Sequence, residues 1–329
     1  MEIAVVILNW NGKALLERFL PSVINNSSEA TIYVADNAST DNSVDFVKAN
    51  FPEVKIIQNS VNGGYAKGYN DALAHISEDI FILLNSDVEV TKNWLRPFIQ
   101  HFEKNRNTAI LQPKILDFKR KDYFEYAGAA GGFIDKLGYP FCRGRIFETL
   151  EKDTNQYNSE TPIFWASGAC LAIRKEVFFE IGKLDEDYFA HQEEIDLCWR
   201  AFNAGYEAFY IPDSKIYHVG GATLQVMNPK KTFYNFRNSL YNLLKNVPYP
   251  QFYFLIFLRM ILDGIAGFKF LLEGKPAHFS AILKAHGSFY RNFSKMIKKR
   301  PKNHRKNYFQ VKSIVWKYYI LKQKHFKKL

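Results

Sequence analysis

The chain has 329 residues, 47% of them apolar, enough to bury one large core or two modest ones. Its net charge of +11 is uneven: sixteen Lys and Arg and no acid follow Glu273, leaving 28 basic against 33 acidic groups in the first 273 residues. A uniformly basic protein is therefore excluded; the sequence describes a mildly acidic globular part and a strongly basic tail that needs its own explanation.

The opening, "MEIAVVILNWNG", has no basic n-region and no small-residue cleavage site, so it reads as a first strand and not as a leader. The continuous apolar run 3–10 predicts a strand buried on both faces. A helix is expected over 12–24, with Leu15, Phe19 and Val23 at helical spacing and a kink expected at Pro21. Strands follow at 31–36, 54–59 and 80–84, and helices at 43–51 and 64–76; in the second helix Ala66, Tyr69, Leu73 and Ile76 share a face. Repeated βα units of this length favour an α/β fold with a mostly parallel sheet flanked by helices. From 108 the pattern loosens, and 117–161 is polar, aromatic and Gly-rich, with no legible strand order. A helix returns at 193–204, where Ile195, Cys198, Trp199 and Phe202 share a face, and 206–212 reads as another strand. Beyond 230 the chain is helical and aromatic up to the tail. Cys142, Cys170 and Cys198 are odd in number and lack metal-ligand spacing, so free thiols in a reducing compartment are expected.

In open parallel sheets, ligands sit at the carboxyl ends of the strands. Four predicted strands end there in polar residues: Asn9-Trp10-Asn11-Gly12, then Asp36 through Asp41, then Asn59 with "NGGYAKGYN" at 62–70, then Asn85-Ser86-Asp87. Four such endings on one edge describe a polar crevice. Asp36 suits the imide N–H of a uracil or thymine ring, and it equally suits a turn in "DNASTDNS". Asp41 or Ser43 is expected to cap the following helix. Gly63-Gly64 before a helix allows close backbone approach to a ligand and leaves amide donors free. Asp87 is a hard oxygen donor suited to Mg²⁺ or Mn²⁺, an ion that would bridge two phosphates and neutralise a leaving diphosphate. Asn85, two residues earlier on a strand period, would point the same way and reach a ribose; a plain strand-to-turn exit has the same sequence. Glu193, Glu194 and Asp196 fall in the first turn of the helix from 193, where the helix dipole alone favours acids and where one carboxylate would serve as a general base toward a hydroxyl. His218 follows an apolar segment and precedes two glycines; a structural histidine and a ligand for a borderline divalent ion both fit.

In order and at suitable separations, "VVILNWNG", "VADNASTDNS", "NGGYAKGYN", "LLNSDVEV", "WASGACLAIRKEVF", "HQEEIDLCWRA" and "HVGGAT" resemble the motifs of family-2 glycosyltransferases of the GT-A fold, in particular the bacterial rhamnosyltransferase-like branch. The resemblance spans roughly residues 3–240. It implies a catalytic GT-A domain over 1–240 and a helical, basic, membrane-associating extension over 241–329. It implies an inverting, metal-dependent transfer of a sugar, first of all rhamnose, from a dTDP-, UDP- or GDP-linked donor. The acceptor would be a hydroxyl of a cell-surface glycan or of a polyprenyl diphosphate-linked precursor. The resemblance puts Asp36 at the pyrimidine base and the DxD-type element on Asn85-Ser86-Asp87, with Asn in place of the first acid. Asp87 and His218 become ligands of Mg²⁺ or Mn²⁺, while Asn9, Asn11, Asn62, Gly63, Gly64, Lys67, Asn70, Asn85 and Ser86 line the donor side. The family's usual Glu-Asp base pair falls on Glu193-Glu194, so Glu194 is the expected base and Asp196 orients the helix start or an acceptor. Trp165, Ser167, Gly168 and Ala169 match the acceptor-side wall, and Arg237 is expected to meet the diphosphate or the acceptor.

The run 252–272 is long enough to cross a bilayer, which takes roughly 20 residues. It holds Arg259, Asp263 and Lys269, however, and a charge at the bilayer centre costs about 2.5–3.5 kcal/mol, so an in-plane amphipathic helix is expected instead. The basic tail, with Trp316, Tyr318, Tyr319 and Phe326, suits an anionic membrane surface; a helical cap with a solvated tail is the alternative. The expected location is cytoplasmic and peripheral on the inner face of the cell membrane. Basic residues interleaved with aromatics also fit nucleic acid, but that reading leaves the acidic crevice unexplained, so no nucleic-acid partner is expected. No GxGxxG follows the first strand, which argues against a dinucleotide enzyme. A non-catalytic sugar-nucleotide binder would differ in failing to hydrolyse a donor in the presence of Mn²⁺.

Overall fold

Two apolar faces organise the chain. In the computed structural model, which describes residues 1–220 and 228–329, strand β1 (Ile3–Asn9) turns Ala4 and Val6 into one core and Ile3, Val5 and Ile7 into another. A strand that is apolar at every position has nowhere to go but the middle of a sheet covered on both sides. Then come α1 (Lys13–Asn26), β2 (Thr31–Asp36), α2 (Ser43–Asn50), β3 (Lys55–Gln58), α3 (Gly64–Leu73), β4 (Ile80–Asn85), β5 (Val88–Val90), α4 (Arg96–Lys104) and β6 (Thr108–Asp117). Pro21 lies inside α1, which continues past it to Asn26.

The stretch with no legible order holds β7 (Gly132–Ile134), β8 (Pro140–Cys142), β9 (Arg145–Ile146) and β10 (Thr149–Leu150), a small antiparallel sheet of its own. The chain continues through β11 (Thr161–Ile163), β12 (Cys170–Arg174), α5 (Lys175–Glu180), α6 (Glu193–Ala204), β13 (Glu207–His218), α7 (Pro229–Asn246), α8 (Gln251–Leu272) and α9 (Pro276–Ile297).

The main sheet has the order β11-β13-β6-β12-β4-β1-β2-β3, with β5 on β13. β3, β2, β1 and β4 are parallel, as the βα repeats predict. β12 enters antiparallel between β4 and β6, and β13 then runs parallel to β6. The register sets Asn9 beside Asp36 and Leu8 beside Asn85, so the polar ends of three strands finish level on one edge. On one face α1 and α4 bury Leu16, Leu20, Val23, Phe98 and Phe102. On the other, Tyr69 of α3, Trp199 of α6, Leu240 of α7 and Leu255 of α8 share a core.

The boundary expected at 240/241 falls within α7, and the segments beyond it pack into the rest. Lys295 and Lys299 of the α9 end reach Asp187 at 2.5 and 2.6 Å. The Ile314 amide donates to Asp135 Oδ2 at 2.8 Å, and Val311, Ile314 and Tyr318 form a small core with Phe141 and Ile146 of the second sheet. Part of the basic tail is thus a structural strap. Within α8, Arg259 and Asp263 face inward: Nε meets Oδ1 at 2.7 Å, and the guanidinium lies 3.7 Å from the Tyr139 ring. Among the described residues no helix is long and apolar enough to cross a membrane. The three cysteines are free and buried.

Candidate active site

The first two loops at the carboxyl edge lock each other. Asn9 Nδ2 donates to Asp36 Oδ1 at 3.0 Å and to Ser43 Oγ at 2.9 Å, while Asn11 Oδ1 accepts from the Thr40 amide at 2.7 Å. Asp36 Oδ2 accepts from the Ser39 amide at 3.0 Å. Each carboxylate oxygen of Asp36 keeps further acceptor capacity beyond these bonds. Asp41, not Ser43, serves the start of α2, its Oδ1 accepting from the Ser43 amide at 3.1 Å. A Cβ on Gly12 would meet Asn9 Oδ1 at 2.5 Å, so a larger residue there would push on the Asn9 side chain that ties the two loops together.

The third loop corrects an expectation. Gly64 has φ of +80°, and a Cβ there would meet the Phe189 carbonyl oxygen at 2.6 Å; the next amide, Tyr65 N, donates to that same oxygen at 3.0 Å. Close approach is indeed what Gly64 permits, but the approaching backbone is the loop before α6. Asn62 Oδ1 accepts from the Gly64 amide at 3.0 Å and fixes that turn. A Cβ on Gly63 would meet the Lys67 side chain, and Lys67 itself pairs with Asp71 at 2.9 Å on a half-buried helix face.

At the end of β4, Ser86 and Asp87 form the turn into β5. Strand β13 pairs with β5, His218 against Val88, and so carries its last side chain over that turn. His218 Nε2 lies 3.1 Å from Asp87 Oδ1 and 3.5 Å from Asn85 Nδ2. Asn85 and Asp87 thus meet at one point through the turn and not through a strand period. The other ring nitrogen, Nδ1, lies 3.4 Å from Glu125 Oε1. Sequence reading missed Glu125; its only signal is a lone acid between Phe124 and Tyr126 in a stretch without pattern. Burial alone would push the His218 imidazole down, but the Glu125 and Asp87 carboxylates outweigh it and raise it to about 10. Two buried carboxylates flanking one ring create a place for positive charge. Residues 221–223, the rest of the "HVGGAT" motif, lie outside the described residues.

The segment 165–169 joins this edge to the opposite wall. The Asn85 amide donates to the Ala169 carbonyl at 3.0 Å, and the Tyr65 hydroxyl donates to the Gly168 carbonyl at 2.9 Å. The Ser167 amide donates to Gln112 Oε1 at 2.8 Å, and its hydroxyl donates to the Ala127 carbonyl, two residues from Glu125. Trp165 is buried against Gly132 and donates from Nε1 to the Phe133 carbonyl at 2.8 Å, so it supports the wall from behind.

Beyond Tyr65 stands the start of α6. The loop entering it holds Phe189, His191 and Gln192 at φ of 63°, 68° and 69°, three non-glycine residues in the left-handed region. Glu193 Oε2 and Glu194 Oε2 are both buried and lack a hydrogen-bond partner among the described residues. Burial raises Glu194 to about 7. It raises Glu193 well above the usual carboxylate range, with the charge of Glu194 adding to the effect. Burial also pushes the Tyr65 hydroxyl up, and both glutamates reinforce that shift. The His191 imidazole is held neutral, lowered to about 4 by burial and by Lys231. A carboxylate poised near neutrality with an unspent oxygen is what proton abstraction from an alcohol needs.

Three expected site residues turn inward instead. Asp196 is fully buried between Arg200 Nε and Lys245 Nζ, each 2.8 Å away, and fixes α6 to α7. Asn70 clasps Leu184, donating to its carbonyl at 2.8 Å and accepting from its amide at 3.1 Å. Arg237 donates from Nη2 to the carbonyls of Asp187 and Tyr188 at 2.9 and 3.1 Å, so it holds the loop before α6. Each of these polar groups is satisfied by protein, which leaves little for a ligand.

A sheet of this order, with polar strand ends level on its carboxyl edge, is the GT-A fold of nucleotide-sugar-dependent glycosyltransferases. TarS of S. aureus in complex with UDP-GlcNAc superposes with a TM-score of 0.55 at 15% identity, covering 91% of each chain. The mannosyltransferase PcManGT of Pyrobaculum calidifontis, solved with GDP-Man and Mn²⁺, gives 0.54 at 13% identity over 91% of this chain and 84% of that one. The model of Glycosyl transferase family 2 matches residues 4–182, and the chain belongs to that family. Its relatives include rhamnosyltransferases. The N-acetylglucosaminyl-diphospho-decaprenol L-rhamnosyltransferase of Mycobacterium tuberculosis is 28% identical over 65% of this chain and 75% of its own length. The dTDP-rhamnosyl transferase RfbF of Shigella flexneri is 23% identical over 74% of this chain and 81% of its own.

Proposed function

We propose that the protein is an inverting, metal-dependent transferase that moves rhamnose from dTDP-rhamnose to a hydroxyl of a polyprenyl-linked saccharide at the inner face of the cell membrane. The observation that carries the chemistry is the pairing of two walls. Asp87 and His218 converge on one point, and across the 165–169 segment a Glu193–Glu194 pair with two unpartnered oxygens among the described residues opens α6, Glu194 being raised to about 7 by burial. The activities of the M. tuberculosis and S. flexneri relatives support the sugar, the nucleotide and the lipid carrier.

The donor set fits a divalent cation. An oxygen of Asp87 and a nitrogen of His218 stand 3.1 Å apart, a hard donor beside a borderline one. Among the described residues no group of three His, Cys, Asp or Glu side chains gathers as metal ligands, so the remaining ligands of such an ion would have to come from phosphates and water. When bound, Mg²⁺ or Mn²⁺ would neutralise charge on the departing diphosphate. Asp36 accepts from the pyrimidine imide, and Asn85 orients the ribose. Glu194 takes the acceptor proton as the alcohol oxygen attacks the anomeric carbon, and the nucleoside diphosphate departs from the opposite face with inversion.

A thermal-shift and turnover screen of dTDP-, UDP- and GDP-sugars, with and without Mn²⁺, tests this reading. dTDP-rhamnose with Mn²⁺ is expected to raise Tm and to turn over. Asp87→Ala is expected to lose the Mn²⁺-dependent part of that shift; full retention would remove Asp87 from the site. Glu125→Gln bears on the same centre without touching a ligand atom. Its carboxylate orients His218 through Nδ1, and loss of such a support typically weakens a metal site about 10–100-fold. Mn²⁺ titration followed by the EPR signal of the free ion should show that weakening, with some loss of Tm because the buried His218 ring also loses a countercharge.

A further inference from the structure

The outer face of α8 is apolar along its whole length. Tyr253, Phe254, Phe257, Ile261, Ile265, Phe268, Leu271 and Leu272 are all exposed, at 62% for Phe257, 63% for Ile265 and 75% for Leu272. Their spacing of three and four residues makes one stripe. The two central charges of the helix, Arg259 and Asp263, are buried against each other on the opposite side, so the stripe carries Lys269 as its one exposed ion. A second exposed group, Trp316, Tyr319, Ile320 and Leu321, adjoins it: Lys269 Nζ lies 5.5 Å from the Tyr319 ring centroid. On the α9 side, exposed Tyr290 donates to Met260 Sδ at 3.1 Å. An exposed apolar surface of this extent marks an interaction site.

Its surroundings identify the occupant. Lys284, Arg291, Lys298, Lys322 and Lys324 are exposed on the neighbouring α9 and tail, and no acid follows Glu273 anywhere in the chain. Glu273 itself is matched by Lys275 at 2.7 Å. A second copy docking through the same face would bring these cations together. Anionic headgroups around an acyl layer match both the stripe and its basic rim, and Trp and Tyr beside Lys suit the level of the headgroups. We propose that the outer face of α8, with the side chains of 316–321, is a docking surface for an anionic bilayer, on which α8 lies in the membrane plane. This deepens the peripheral placement given above and stands apart from the chemistry of the crevice.

The test uses the full chain and the triple variant Phe257→Ser, Ile261→Ser, Ile265→Ser, whose side chains are all exposed and outside the crevice. Flotation with phosphatidylglycerol–phosphatidylcholine vesicles should recover the wild type, and phosphatidylcholine alone should recover much less. The variant should partition at least on the order of tenfold less, at unchanged Tm and unchanged donor-induced thermal shift. Equal flotation of variant and wild type would overturn the proposal in favour of the basic tail alone. A wild type that fails to float would overturn it too. A wild-type dimer by light scattering, made monomeric by the triple substitution and indifferent to vesicles, would assign the face to a second copy. Because the donor-induced shift is read in the same samples, failure of the docking face and failure of the catalytic reading give different results.

Discussion

Glu194→Gln is expected to remove nearly all turnover and to leave a protein that is more stable than the parent. A positioned general base supplies on the order of 10²–10⁴-fold, and that factor should vanish from kcat with donor binding retained. The wild-type acid limb follows from burial, which raises Glu194 to about 7, so kcat/KM should fall as pH drops through neutrality and the carboxylate takes up a proton. The stability effect has the opposite origin. Folding moves this carboxyl from its ordinary 4.5 up to about 7, so the folded state resists its ionisation. That penalty is absent below the unfolded pKa, grows as pH rises between the two values, and is fully present above neutrality. Glutamine removes it, and a gain of about 1–2 kcal/mol is expected above neutrality, closing toward acid pH. Thermal melts across that range measure it. Glu193→Gln is the control: it should keep turnover. If Glu193→Gln is dead and Glu194→Gln active, the base is the other member of the pair.

What could be foreseen here depended on whether a local pattern carried it. β1 to β4 were legible because a strand apolar at every position, followed by a helical period, leaves one way to bury both faces. Asp87 and His218 were legible as residue types at strand ends. β12 was not, since "CLAIR" is apolar in either direction and nothing local says that it enters antiparallel between β4 and β6. β7 to β10 are two or three residues each, too short to show alternation. Glu125 reaches His218 across 93 positions, and only the folded sheet brings them together.

Two charge pairs were legible and were weighed by the wrong neighbour. Asp196 and Arg200 stand four apart on α6, and Arg259 and Asp263 four apart on α8. That spacing places both partners on one helix face, where they pair. In sequence Asp196 stands beside Glu193 and Glu194 as a helix-start acid, and that neighbourhood hides its partner. Taken one at a time, Arg259 and Asp263 look like charges interrupting an apolar run; their mutual neutralisation on the inner face is what leaves the outer face of α8 apolar but for Lys269.

The Asp196 pair leads to the second large effect. Lys245 is almost wholly buried, its Nζ 2.7 Å from Asp185 Oδ2 and 2.8 Å from Asp196 Oδ1. Lys245→Met removes the cation and leaves the stem. Breaking a buried pair of this kind costs about 3–5 kcal/mol, because the stranded carboxylates lose their compensation. Arg200 still serves Asp196 and Lys299 still serves Asp185, so the lower end is expected in urea melts at neutral pH. Acid sensitivity gives an independent sign. Burial would raise Asp196, but Arg200 and Lys245 hold it below the usual carboxylate range. Its contribution to stability is therefore present above the unfolded pKa of about 3.9 and is lost only as pH falls through the lower folded value. Without Lys245 the folded value rises, and the acid-unfolding midpoint should move up with it. The same substitution should reach the chemistry, since Asp185 and Asp196 bracket the left-handed loop that presents Glu193 and Glu194. A lower kcat at unchanged donor affinity is the expected mark of that slackening. A Lys245→Met protein as stable and as acid-resistant as the parent would mean that the two anions are held by Arg200 and Lys299 alone, and that α7 does not set the position of the base.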